Sequence, residues 1–287
     1  MSDAVLVTGA AGFVGTHLVA ALRAQGRRVV AHGRADGDIA TCALPGEVGH
    51  VVHLAARSFV PDSWANPRGF YETNVLGTVN VLDHCRRREI PLTFVSSYVY
   101  GVPRALPVRE DHPVAPLNPY SHTKILAEEA VAYFGRLGVR ASVIRPFNVY
   151  GPGQDGRFLI PTLIRQALDP GVDRITVRDL RPRRDFLHVR DLVSLLVAIV
   201  SRPGAGVFNA GSGCSIDIPG LVAEINAAVD DPKPLVSTGE ARQEEVLDVV
   251  ADVSRARREL GWAPQIALGD GVRETVRWTQ AQVAAVR

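Results

Sequence analysis

Short runs rich in Val, Ile and Leu alternate along the chain with longer stretches whose apolar residues recur at helical spacing. The runs Ala4–Thr8, Arg28–His32, His50–Ala55, Leu92–Ser97 and Arg140–Arg145 predict strands buried on both faces. Between them, Gly12–Gln25, Asn66–Arg88 and Tyr120–Leu137 predict helices. Such alternation implies an α/β fold: a doubly wound parallel sheet with right-handed crossovers and helices on both faces. Any functional crevice is then expected at the carboxyl ends of the strands. After Arg145 the pattern changes, and Pro146, Pro152, Pro161, Pro170 and Pro182 divide the chain into shorter pieces. A helix over Val189–Ser201, a strand over Gly206–Ala210 and a helix over Ile218–Asp230 follow. The expected division is a first unit over 1–150 and a smaller C-terminal α/β lobe over 151–287, partly interleaved with it.

Composition narrows the class. The 287 residues are 46% hydrophobic, enough to enclose a core, and carry a net charge of only +2. No basic block dominates, so a nucleic-acid partner is not expected; Arg86–Arg88 and Arg181–Arg184 read as a solvated helix end and an anion site. Cys42, Cys85 and Cys214 are odd in number and far apart, which suits free thiols in a reducing cytoplasm and neither a disulfide framework nor a zinc site; no metal is expected. The first strand begins within a few residues of Met1, leaving no room for a signal peptide. The apolar run Leu192–Val200 is far short of a membrane span. A soluble cytoplasmic protein is the expectation.

The N-terminal segment Val5-Leu6-Val7-Thr8-Gly9-Ala10-Ala11-Gly12-Phe13-Val14-Gly15 reads strand, tight turn, helix. Glycines there let the backbone approach a pyrophosphate, whose charge is favoured by the helix N-terminus. The spacing is GxxGxxG rather than GxGxxG. About twenty residues on, where an acid commonly holds the ribose 2′-hydroxyl of NAD, the chain has Gly33 followed by Arg34. Without a carboxylate to repel it, a 2′-phosphate could pair with the guanidinium. NADP(H) is thus the expected coenzyme, with NAD(H) possible. Asp38 and Ile39 are candidates to bracket the adenine.

Tyr120-Ser-His-Thr-Lys124 places a phenol and an ammonium four residues apart, on one face of a helix. Together with the glycine loop, this pair suits proton transfer beside a nicotinamide. With His53-Leu-Ala-Ala56, Asn74-Val-Leu-Gly-Thr78, Ser96-Ser-Tyr-Val-Tyr-Gly101, Arg145-Pro-Phe-Asn148-Val-Tyr-Gly151, Arg184-Asp-Phe186 and Leu260-Gly-Trp262, the chain resembles the extended short-chain dehydrogenase/reductases that act on nucleotide sugars. The resemblance runs nearly the whole length. It implies a Rossmann-like NAD(P)-binding domain and a substrate lobe closing over an NDP-sugar. It also implies that Tyr120 is the acid/base and that Lys124 holds the nicotinamide ribose and lowers the Tyr120 pKa. Ser96, four residues before the Tyr of the Val-Tyr-Gly turn, would be the catalytic hydroxyl. The expected coenzyme wall comprises Gly9, Ala11, Gly12, Phe13, Val14, Gly15, Gly33, Arg34, Asp38, Ile39, Leu54, Ala55, Ala56, Asn74, Tyr120, Lys124 and Pro146.

On the substrate side, Ser58, Ser97 and Tyr98 are expected by position to line the sugar pocket, and Asn148 matches a residue that bonds the sugar or diphosphate. Arg184 and Arg242 match diphosphate or ribose ligands, with Arg183 as an alternative of equal chemistry. His188 and Leu260-Gly-Trp262 read as structural. Dehydratases of the family carry acids directly after the catalytic Ser/Thr; here those positions are Ser97 and Tyr98, which argues against a 4,6-dehydratase. The short Arg34–His50 connection resembles that of NADPH-using 4-keto-sugar reductases. Reduction of an NDP-4-keto-sugar is the leading expectation, ahead of a 4-epimerase with tightly held NAD. A redox-sensing regulator without catalysis is disfavoured because the triad is intact. Helices 66–88 and 120–137 resemble those that pair in family homodimers; Ala127, Ala130, Val131 and Phe134 form a possible apolar stripe for such pairing or for the core.

Overall fold

A computed structural model describes residues 3–204, 206–240 and 246–286. Arg242, one of the expected substrate ligands, lies outside the described residues. The chain opens with β1 (Val5–Thr8), α1 (Phe13–Ala24), β2 (Val29–His32), a 3₁₀ turn (Arg34–Asp36) and β3 (His50–His53). There follow α2 (Val60–Ala65), α3 (Pro67–Phe70), a π-helical turn (Tyr71–Leu76), α4 (Gly77–Arg88), β4 (Leu92–Val95), α5 (Pro119–Arg136) and β5 (Ala141–Pro146). The second half contains β6 (Asn148–Tyr150), α6 (Leu159–Leu168), β7 (Ile175–Val177), β8 (Arg183–His188), α7 (Val189–Ser201) and β9 (Gly206–Ala210). It closes with β10 (Ser215–Asp217), α8 (Ile218–Asn226), β11 (Leu235–Ser237), α9 (Ser254–Leu260) and α10 (Leu268–Val286).

Six strands form the main sheet in the order β2-β1-β3-β4-β5-β9, and every pair in it is parallel. Both faces are covered, as the continuous apolar runs require: β1, β3 and β4 are buried at every position. Strand pleating divides the side chains. Val5 and Val7 enter a core with Leu18, Leu22, Leu192 and Leu196 from α1 and α7. Ala4 and Leu6 enter the opposite core with Val81, Leu82, Ala127 and Val131 from α4 and α5. Strand order reverses between β1 and β3, and the loops after β1, β3 and β4 open toward one crevice.

Three readings of the sequence change here. The stretch 66–88 is not one α-helix; it passes from α3 through the π-helical turn into α4. The stripe on α5 points inward: Ala127 and Val131 are core residues, with Ala130 and Phe134 packed against them. The large apolar side chains left outside on this side are Leu76, Tyr133 and Leu137. Finally, the Pro-rich second half contains more regular structure than its hydrophobic pattern announced. β10-β8-β6 and β11-β7 make two small sheets, and Ile160, Leu163, Leu221, Ile225, Val272 and Val276 form a separate core there. Strands of three residues are too brief to show a period. Meanwhile α7 and β9 return to the main sheet.

Candidate active site

The glycine turn is fixed by close approach. Gly9 has φ +68°, and a Cβ there would stand 2.7 Å from the Ala55 nitrogen. A Cβ on Gly15 would stand 2.2 Å from the Gly9 carbonyl oxygen, so neither position admits a side chain without moving backbone. Gly12 is the N-cap of α1 and supplies no side-chain cap. The first amides of a twelve-residue helix are thus left for a ligand, and an anion is the ligand they favour.

Helix α5 starts on equally legible signals. Asn118 Oδ1 accepts from the Ser121 amide at 2.8 Å, and Pro119 occupies the first turn. That start places Tyr120 at the mouth of the helix and Lys124 one turn deeper. The Lys124 ammonium donates to the Val95 carbonyl at 2.8 Å and lies 4.8 Å from the centre of the Phe94 ring. It thereby ties α5 to the end of β4, the strand that delivers Ser96 and Ser97. Phe70 meets the Tyr120 ring edge-on, with centroids 6.3 Å apart.

These groups share one cleft of about 990 Å³. Gly9, Gly12, Phe13, Val14, Gly15, Arg34, Leu54, Ala56 and Pro146 line its coenzyme side. Ser96, Ser97, Tyr120 and Lys124 lie at its centre, and Ser58, Tyr98, Asn148 and Arg184 continue along it. Burial pushes the Tyr120 phenol up to about 12, with the nearby Ser97 hydroxyl working against that rise. Burial also draws the Lys124 amine down to about 8, while Glu128 opposes the fall. The phenol is therefore a proton donor at neutral pH.

Of the two adjacent serines, Ser97 is the one that acts on Tyr120. Counting back from the Val-Tyr-Gly turn selects Ser96, whereas the end of β4 and the position of α5 bring Ser97 to the phenol. Both hydroxyls are buried without a hydrogen-bond partner in the protein, an arrangement that suits donors awaiting a ligand.

Several expected residues stand elsewhere. Asn74 is 1% exposed and its amide is fully engaged: Nδ2 donates to the Arg57 carbonyl and Thr123 Oγ1, and Oδ1 accepts from the Arg57 amide. It braces the coenzyme wall against α5 and does not line the cleft. Ile39 is buried in the core beneath α4, and Asp38 is exposed, accepting from the Ala40 amide. Ala11, Gly33 and Ala55 sit behind or beside the cleft wall. Arg183 is engaged away from the cleft, by Asp217 and Asp248. Arg184 donates to the carbonyls of Arg183 and Val246, which orients it at the cleft.

Other functional candidates emerge only from the fold. The 3₁₀ turn folds Asp36 back so that its carboxylate accepts the Gly33 amide at 2.8 Å. The end of β2 thus has an acid after all, three residues later in sequence than the expected place. Across the cleft mouth, Arg157 pairs with Asp62 at 2.9 Å and lies 4.3 Å over the Phe59 ring, while Phe59 and Phe158 meet edge-on at 5.4 Å. His17 on α1 bonds the Pro152 carbonyl at 2.8 Å. Segment 152–158 is therefore clasped onto the sheet domain at both ends. No local pattern in either partner announces a contact between residues so far apart in sequence.

The glycine turn, the uncapped helix and the small residues after β3 fit a dinucleotide. The comparisons agree with that fit. The profile of the NAD dependent epimerase/dehydratase family matches residues 5–211. The chain is 33% identical to a UDP-glucose 4-epimerase of Mycolicibacterium smegmatis, over 95% of this chain and 97% of that one. It is also 33% identical to a GDP-6-deoxy-D-mannose reductase of Pseudomonas aeruginosa, over 95% and 96%. The structure of RMD from Pseudomonas aeruginosa complexed with NADPH superposes with a TM-score of 0.89, at 30% identity, covering 98% of this chain and all of that one (100%). On this match and on the cleft it describes, the chain belongs to the NAD dependent epimerase/dehydratase family.

Proposed function

We propose that the protein reduces the keto group of a nucleotide-linked 4-keto-sugar. The observation that carries this reading is the state of Tyr120, a phenol held protonated by burial at the centre of the cleft. Reduction needs a proton donor there; the opening step of epimerisation needs a base. The relative named as a reductase, equal in identity to the epimerase, supports the same class.

A bound reduced nicotinamide would supply the hydride. Tyr120 delivers its proton to the oxygen that becomes an alkoxide, and the Ser97 hydroxyl donates a hydrogen bond to that oxygen. Lys124, one turn along α5, stands beside the phenolate left behind. Donors aimed where charge develops contribute most to such a rate. The glycine turn and the α1 amides hold the diphosphate of the coenzyme; Asn148 and Arg184 face the sugar nucleotide.

NADP(H) is the proposed coenzyme. Arg34 lines the cleft and Asp36 does not, so a 2′-phosphate meets the guanidinium first. Asp36 moderates the preference and leaves room for NAD(H). A homodimer joined across α4 and α5 is also proposed, with Leu76, Tyr133 and Leu137 as the apolar residues available to it.

The test is consumption of NADPH by purified protein with an NDP-4-keto-sugar. Turnover is expected, and Tyr120→Phe should abolish it while coenzyme affinity changes less than about threefold, since the phenol acts on the reacting oxygen. Interconversion of NDP-sugars without NADPH loss, with NAD released only on denaturation, would instead identify a 4-epimerase.

A further inference from the structure

Beneath the catalytic pair lies a buried charge network that the proposed reaction does not itself use. Glu128, one turn beyond Lys124 on α5, receives the Arg145 guanidinium through Nε at 3.1 Å to each oxygen and Nη2 at 2.6 Å. The two side chains are only 9% and 11% exposed. Arg145 in turn donates from Nη1 to the Tyr100 hydroxyl at 3.0 Å, and that hydroxyl donates to Asn209 Oδ1 at 2.6 Å. Arg145 therefore has a fixed place, and so does the carboxylate it grips.

We propose that Glu128 is a positioning residue for the catalytic pair: its carboxylate, shared between Arg145 and Lys124, keeps the Lys124 amine protonated beside Tyr120. This inference rests on reading Tyr120 and Lys124 as the catalytic pair. The surroundings of Lys124 leave Glu128 alone in that role. From β4 it meets a carbonyl and a ring face, which orient an ammonium but carry no formal charge. From β3 it faces His53, which burial and the ammonium itself hold neutral, at about 3. On its own helix Tyr120 is protonated. An ammonium desolvated to this degree loses its proton near neutrality unless an anion opposes the loss, and Glu128 is the anion that does so. Arg145 sets the strength of that opposition, because it competes for the same carboxylate.

The chain offers an unusually direct test, for it contains only two lysines, Lys124 and Lys233. Protein labelled with carbon-13 at lysine Cε gives two signals, assigned with Lys233→Arg, and titrating them needs neither coenzyme nor substrate. Glu128→Gln is expected to lower the Lys124 midpoint by about one pH unit. Lys233, held by the carbonyls of Gln166 and Asp169, should not move. Glu128→Asp, which restores the charge, should recover most of the shift. Should Glu128→Gln fail to fold, the neutral couple Glu128→Gln with Arg145→Gln keeps hydrogen-bonding groups in place and is expected to lower the midpoint as well. An unchanged Lys124 midpoint in the folded charge-neutral variants would overturn the inference. In an active preparation the alkaline limb of kcat/KM should move to lower pH with the same variants. Shifts of the midpoint without any keto-sugar turnover would count against the reductase reading alone.

Discussion

Ser96 and Ser97 differ by one position and by which side of the strand end they leave. Both are buried and lack a protein partner, but Ser97 is the one coupled to the Tyr120 phenol. Ser97→Ala should therefore lower kcat by about 10²–10³, the usual cost of removing one donor to a developing oxyanion. Ser96→Ala should keep kcat within about tenfold of the unmodified protein. Steady-state rates of the two variants decide the matter, and a larger loss for Ser96→Ala would return the catalytic role to that residue. His53 illustrates a residue whose motif was visible and whose work was not. Its Nδ1 meets Thr8 Oγ1 at 2.7 Å and its Nε2 meets Thr78 Oγ1 at 3.1 Å. Since Thr78 donates to the Asn74 carbonyl, its oxygen accepts from His53, which fixes the proton on Nε2. The ring is a strut joining β1, β3 and α4.

At the scale of elements, start signals were written locally and proved readable. Asn118-Pro119 opens α5, and Gly12 opens α1; each depends on residues within one turn. The 3₁₀ turn after β2 was not readable, because the distance from Asp36 to the end of the strand depends on how three residues coil. That turn sets two opposite charges near the coenzyme's ribose. Asp36→Asn is expected to raise the preference for NADPH over NADH by about tenfold, and Arg34→Ala to lower it by a similar factor, each corresponding to one charge-assisted contact. Dissociation constants from nicotinamide fluorescence would measure both. Ratios unmoved in the two variants would mean that the turn does not select the coenzyme.

For the molecule as a whole, burial of neutral histidines links stability to pH. His50 and His188 are held at about 4 and His53 at about 3, in each case chiefly by burial, against 6.5 when exposed. Below 6.5 the unfolded chain binds protons that the folded chain refuses. Stability is thus fully present above about 6.5 and falls as the pH drops from there toward 4, by up to about 1.4 kcal/mol per pH unit for each histidine. Urea denaturation at pH 7.5 and at pH 5.5 should show the lower stability at 5.5; equal values would contradict the neutral, buried state of these rings. The clasp of Arg157 on Asp62 and Phe59 belongs to the same scale, since it joins the second lobe to the sheet domain across the cleft mouth.

The amino-acid sequence by itself determined the sheet strands, the glycine turn and the Tyr120–Lys124 helix, because each is specified by neighbours within a few residues: an apolar run, a missing Cβ, a cap. Only the tertiary structure decided which serine meets the phenol, that an acid returns to the end of β2, that the stripe on α5 faces inward, and that Glu128 stands between Lys124 and Arg145. Those outcomes depend on distances between segments dozens of residues apart, which chain packing sets and local spacing cannot encode.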